Sequence, residues 1–219
     1  MKKSMLLGLL GSVLLLGGCG MNLNSGGNQQ KDDDTTHESV AYNDEFTQDF
    51  LKSTEEVEEG FYLFESMTKG FTLLFPKDAY VEKGTYERNG NGFEAVAFLE
   101  ESVEANTSMY YSFTYENSTR SSDIELNLHL LSNNANYEGE FEKFTHNENT
   151  YYYAEKVSEG NGENTYWYYA YINSNNQDKG TSFIGRISCK DSSKSCNLDS
   201  KELEDKMMKV IKSIDFVQG

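Results

Sequence analysis

The chain of 219 residues is short of basic groups, histidine, cysteine and tryptophan, and each shortage narrows what it can do. Nineteen Lys and Arg face 36 Asp and Glu, giving a formal net charge of -17. A field of that sign repels extended polyanions, which argues against nucleic acid and against an anionic membrane surface as direct partners. The three histidines, His37, His129 and His146, are scattered and form no His-x-x-x-His or Cys/His ligand set, so no metal site is expected. No Gly-x-Ser-x-Gly elbow, phosphate loop or dinucleotide fingerprint occurs, and no cofactor is expected. No apolar run reaches the roughly 20 residues that a spanning helix needs. Arginine is limited to Arg88, Arg120 and Arg186 against many Lys and Asn, a bias that points to an AT-rich, Gram-positive source.

What is present begins at the N-terminus. Lys2 and Lys3 precede an apolar stretch from Met5 to Leu16, and Leu16-Gly17-Gly18-Cys19 closes it. The three-part form is that of a secretory signal. The closing residues resemble the lipobox of bacterial lipoproteins, which implies cleavage before Cys19 and a diacylglyceryl group on its thiol. An uncleaved anchor, or an ordinary signal with an incidental cysteine, are the alternatives. Two or more acyl chains anchor a protein stably where one does not. The mature polypeptide is then expected at the outer face of the cell membrane, reached from there by a protein partner of the envelope or by cell-wall glycan.

Three cysteines minus a lipidated Cys19 leave the pair Cys189 and Cys196. In an oxidising compartment this pair reads as a disulfide; a thiol redox or metal pair is the alternative, without a Cys-x-x-Cys spacing to support it. The polar stretch from Gly20 to about Ser39 carries no apolar periodicity and reads as a tether, Asp32-Asp33-Asp34 within it as a solvated charge run. The expected organisation is a signal peptide over 1–18, a tether over 19–39 and one domain over 40–219.

Within the domain, the sequence predicts a helix over 43–58, capped by Asn43 or Asp44 and presenting Phe46, Phe50, Leu51 and Val57. Short alternating runs follow. Phe61 to Glu65 and Phe71 to Phe75 flank Thr68-Lys69-Gly70 as a hairpin, and Asn89-Gly90-Asn91-Gly92 marks a second. Met109, Tyr111, Phe113 and Tyr115 alternate along a strand. Ile124, Leu126, Leu128 and Leu130 alternate too, and read as the clearest half-buried strand in the chain. Further strands are expected near 140–145, 150–157, 165–173 and 182–189. Asp199, with Glu202, caps a last helix whose Leu203, Met207, Val210, Ile211 and Ile214 form one stripe, and Asp215 to Val217 add an edge strand. This order gives an α+β fold, an antiparallel β-sheet of about seven to nine strands flanked by an N-terminal and a C-terminal helix.

Gly70-Phe71-Thr72-Leu73-Leu74-Phe75-Pro76 and Met207-Met208-Lys209-Val210-Ile211-Lys212-Ser213-Ile214-Asp215-Phe216 resemble the two ends of PsbP/Mog-like domains. The likeness spans roughly residues 60 to 217. Members often carry Trp shortly after the proline, where this chain has Tyr80. The resemblance implies a sheet packed by helices and a binding or assembly role more than catalysis.

Ser66-Met67-Thr68-Lys69 matches the Ser-x-x-Lys of penicillin-binding enzymes, but its companion motifs are missing and it reads as a turn. The 36 acids offer too many carboxylate pairs to select a hydrolase site, which depends on spatial separation. The unusual concentration is aromatic, in three strands that include Tyr166, Trp167, Tyr168, Tyr169 and Tyr171. Trp167, Tyr169 and Tyr171 share one strand face and are the candidate stacking platform for a glycan or small solute. Cross-strand aromatic packing under a covering helix is the alternative. The leading expectation is a non-enzymatic lipoprotein of the cell envelope that binds or helps assemble a protein partner. A glycan or solute binder comes second, and a cell-wall hydrolase third.

Overall fold

The structure, a computed structural model, describes residues 39–160, 163–198 and 201–218. The signal peptide, Cys19, the tether, His37, the Asp199 cap and the tip of the 160–163 turn lie outside the described residues.

The chain enters through two single helical turns, α1 (Val40–Asn43) and α2 (Glu45–Gln48). Asp44 caps the second as expected, its Oδ1 accepting the Thr47 N–H at 2.8 Å. The helix expected over 43–58 stops at Gln48, however. Beyond it the backbone pairs with the first strand, with Lys52 N–H donating to Leu63 O and Glu65 N–H to Phe50 O. Phe50 lies flat on Phe64, ring centroids 5.2 Å apart, an anchor that a continuing helix would not place there. A longer helix would also have set Glu55, Glu56, Glu58 and Glu59 against the negative end of its dipole.

β1 (Phe61–Glu65) and β2 (Phe71–Pro76) form the predicted hairpin. β11 (Asp215–Phe216) joins the free side of β2, making a three-stranded sheet in the order β1-β2-β11. The larger sheet is antiparallel throughout and has eight strands. β3 (Ala79–Val81) and β4 (Glu87–Asn89) both pair with β5 (Phe93–Ser102). From β5 the order continues through β6 (Thr107–Asn117), β10 (Lys179–Cys189), β9 (Glu163–Ser174) and β8 (Asn149–Gly160) to β7 (Glu142–His146).

The core lies between the sheets. Phe64, Phe71 and Phe75 meet Phe98, Tyr111 and Phe113, all buried, with Phe75 and Phe98 rings 4.7 Å apart. α4 (Lys201–Lys212) closes the remainder with Met207, Val210 and Ile211. Gly185 permits that approach, since a Cβ there would stand 2.8 Å from Met207 Sδ and 2.7 Å from Phe183.

The alternating segment around Leu126 is a helix, α3 (Ile124–Ala135), and not a strand. Asp123 caps it by accepting the Leu126 N–H at 3.1 Å, and Asn136 ends it in the left-handed region at φ 48°. Ile124 and Leu128 of the alternating set, together with Leu131, are spaced i, i+4 and i+7 and so form a helical stripe. The helix leaves Leu130 46% exposed, and buries Leu131 against the reverse face of the large sheet.

Candidate functional site

The reverse face of the large sheet is covered over only part of its area. α3 lies on β9 and β10, where Leu131 packs with Tyr169, Tyr171 and Ala154. The Tyr171 hydroxyl donates to Ser121 O at 2.7 Å, and burial pushes its pKa up. Tyr169 meets the Tyr137 ring at 5.1 Å. Both tyrosines are 2% exposed, which removes them from the three-residue stacking platform. The cover is the segment whose alternation mimics a strand. Trp167 alone of the three stays half-buried, its indole N–H donating to Ser158 Oγ at 3.1 Å.

Beside α3 the face is open. A cleft of about 700 Å³ has Thr114 and Ser182 in its floor, Leu130 and Asn134 on the α3 side, and Asn89 and Phe93 on the β4–β5 side. A smaller cleft of about 290 Å³ lies between the ends of β8 and β9 and the start of α4, with Tyr166, Tyr168, Leu198, Glu155 and Lys201 among its walls.

Register then sets one row of side chains across five strands of this face. Leu99 is opposite Tyr110, Tyr110 opposite Arg186, Arg186 opposite Trp167, and Trp167 opposite Lys156. The Arg186 guanidinium stands 5.7 Å from the Tyr110 ring centroid and 5.8 Å from that of Trp167, within cation–π range of both. Its Nε is buried and has no acceptor among the described residues. Tyr110 lies between Met109 and Tyr111 of an expected strand and Arg186 is one of three arginines, but their meeting depends on pairing register, which no local pattern reveals.

The other singled-out residues have structural settings. Cys189 and Cys196 are joined, Cα atoms 5.8 Å apart. The loop they close is held as well by Asn106, whose Nδ2 donates to Asp191 O at 3.0 Å and Lys194 O at 2.9 Å while its Oδ1 accepts the Asp191 N–H at 3.0 Å. Ser66 is fully buried in the β1–β2 turn, its Oγ accepting from Gly70 N–H and Phe71 N–H. Lys69 of the same motif pairs with Glu65 at 2.5 Å. His129 is on exposed α3 surface, 3.0 Å from Asn133 Nδ2, and His146 ends β7, so the two do not meet. Among the described residues no group of three or more His, Cys, Asp or Glu could hold a metal ion.

Residues 37–215 match a family model described as "Putative lipoprotein YvcA". The "Putative lipoprotein YvcA" of Bacillus subtilis (strain 168) is 27% identical over 226 residues, which cover 94% of this chain and 92% of that one. A crystal structure of a protein from Bacteroides thetaiotaomicron VPI-5482 superposes with a TM-score of 0.43 at 13% identity, over 71% of this chain and 48% of the other.

Proposed function

The chain belongs to the family described as "Putative lipoprotein YvcA", and from that premise we propose that it is a membrane-anchored, non-enzymatic binding protein of the cell envelope, tethered through Cys19. The lipobox-like Leu16-Gly17-Gly18-Cys19 supports the anchor, and the Cys189–Cys196 bond fits an oxidising compartment. The family model is named for Mog1p as well as YvcA, in keeping with the PsbP/Mog-like ends of the domain.

One observation carries the binding role: α3 leaves a cleft of about 700 Å³ on the reverse face, with the apolar Leu130 and Phe93 on opposite walls. Leu130 is 46% exposed, an apolar side chain at the mouth of a concave surface. A protein segment laid along the cleft would bury it, as the anchors of an interface are buried.

The test is in-cell photo-crosslinking of the anchored protein from position 130, with Glu125 on the exposed side of α3 as control. A partner recovered from position 130 and absent from 125 supports the reading. Equal recovery from both positions, or none from either, overturns it. For the anchor, Cys19→Ala is expected to move the protein from membrane to medium, and continued membrane retention after signal processing would contradict it.

A second reading, a glycan or small-solute binder, keeps one of its three aromatic residues. Trp167 remains half-buried beside Arg186 and exposed Lys156.

A further inference from the structure

We infer that Arg186, held between Tyr110 and Trp167, is a binding site for the carboxylate or phosphate group of a small solute. The inference goes beyond the protein-partner reading and stands on a different part of the same face: Ser182 in the cleft floor and Arg186 are four residues apart on β10, about 13 Å at the usual strand rise.

Geometry leaves the guanidinium one way to interact. Tyr110 and Trp167 take its two flanks at nearly equal distances, 5.7 and 5.8 Å. The in-plane N–H edge is what remains, and a planar fork of donors matches the two oxygens of a carboxylate or phosphate. Arg186 forms no ion pair or hydrogen bond among the described residues, its contacts being the two rings, and its buried Nε lacks an acceptor. The two Nη groups, also without an acceptor among the described residues, are not buried, and they are the edge of the fork that a solute oxygen can reach.

Charge supports an anion locally although the whole chain is acidic. Arg186 is permanently cationic. Lys156, exposed and opposite Trp167, adds a second positive charge to the row. Glu101, one row away on β5, is engaged by Lys190 at 2.6 Å. Glu116, three rows the other way on β6, accepts from Ser118 Oγ at 2.6 Å. The net charge of -17 opposes a long polyanion far more than a single oxyanion, whose interaction is dominated by the nearest charges. The two rings hold the fork in place before the ligand arrives, which lowers the ordering cost of binding.

The experiment follows Trp167 emission, the chain having a single tryptophan, in full-length lipoprotein in neutral maltoside micelles. Inorganic phosphate and acetate are titrated against chloride at constant ionic strength. A saturable change with phosphate or acetate and none with chloride is expected. Arg186→Gln should abolish it, Arg186→Lys should weaken it at least tenfold by losing the fork, and Lys156→Gln should weaken it two- to threefold. Vesicles of phosphatidylglycerol and of phosphatidylcholine separate the sources: a free-anion response without a phosphatidylglycerol response supports the solute, whereas a response to phosphatidylglycerol alone overturns it in favour of a lipid headgroup. No saturable change, or an unchanged titration in Arg186→Gln, also overturns the site. Should Arg186→Gln fail to fold, the Arg186 Nε–H resonance of the unsubstituted protein must shift on adding phosphate or acetate, and a resonance that stays still sinks the proposal. Because no crosslinking partner enters this measurement, it can fail or succeed independently of the protein-partner reading.

Discussion

Glu94 is clamped to Thr68: one carboxylate oxygen accepts both the Thr68 N–H at 2.8 Å and the Thr68 hydroxyl at 2.7 Å, while the other accepts the Met67 N–H at 2.9 Å. Glu94 is fully buried on the core face of β5, and Met67 and Thr68 belong to the β1–β2 turn. The contact therefore ties the small sheet to the large one through a charge with three donors around it. Hydrogen bonds to a charged acceptor contribute about 1.5–3 kcal/mol each, and removing the acceptor also strands the donors. Glu94→Leu is expected to lower stability by about 3 kcal/mol or more, and Glu94→Gln by less, as measured by urea unfolding.

Two phenols face the same charge. Tyr86 and Tyr115 have buried hydroxyls without partners among the described residues, and burial, then the Glu94 charge, pushes both pKa values up to about 12. An unfolded tyrosine titrates near 10. The folded protein therefore holds these protons more tightly: their contribution is complete below about pH 10 and is lost as pH rises through 12. Stability should fall over that window. Spectrophotometric titration at 295 nm, compared with Tyr86→Phe and Tyr115→Phe forms, should show these two phenols ionising only with unfolding.

Gly70 lets the Tyr115 ring pass close to the backbone. A Cβ at position 70 would lie 2.2 Å from Tyr115 Cζ, and that ring is fully buried, 5.3 Å from Phe71 and 6.2 Å from Phe216. Gly70→Ala must displace a packed aromatic, a cost on the order of 1–3 kcal/mol or more. Thermal unfolding of Gly70→Ala should show a clear drop in Tm, partly restored by Tyr115→Leu.

The Cys189–Cys196 loop is held twice, once covalently and once by Asn106. Chain-entropy reasoning assigns so short a loop about 2.5 kcal/mol or less. Cys189→Ser with Cys196→Ser should cost no more than that, and Asn106→Ala about 1–3 kcal/mol through its lost hydrogen bonds. In a double-mutant cycle the combined loss should fall short of the sum of the single losses, since each constraint orders the loop for the other and is worth less once the other is gone.

Filling under α3 is equally specific. Leu131 is 2% exposed between the helix and Tyr169 and Tyr171. Leu131→Ala should cost about 2–5 kcal/mol and raise the nitration of Tyr169 and Tyr171 above that of the unsubstituted protein.

These residues also mark how much of the molecule could be read from order alone. Met109, Tyr111, Phe113 and Tyr115 alternate and are all buried, and Met207, Val210 and Ile211 recur at helical spacing and are buried too, because each pattern fits a single period. Ile124 to Leu131 fits two periods, and the Asp123 cap with the extra Leu131 decides for the helix. The ambiguity reached the candidate site, because the same helix covers Tyr169 and Tyr171. Arg186 was invisible as a site for another reason: its two aromatic neighbours come from β6 and β9, more than fifty residues apart in sequence, and only register unites them.

β11 makes the small sheet depend on both ends of the domain. β2 is the middle strand of the small sheet, and its second partner is β11, with Phe216 opposite Phe71 and Val217 N–H donating to Gly70 O at 3.0 Å. Ser213 likewise supplies its Oγ to the Leu74 N–H at 2.8 Å. The small sheet is thus complete only when residues some 140 positions apart in sequence have met. Removing Asp215 to Val217 would therefore leave β2 with an unpaired edge and the first hairpin open on one side.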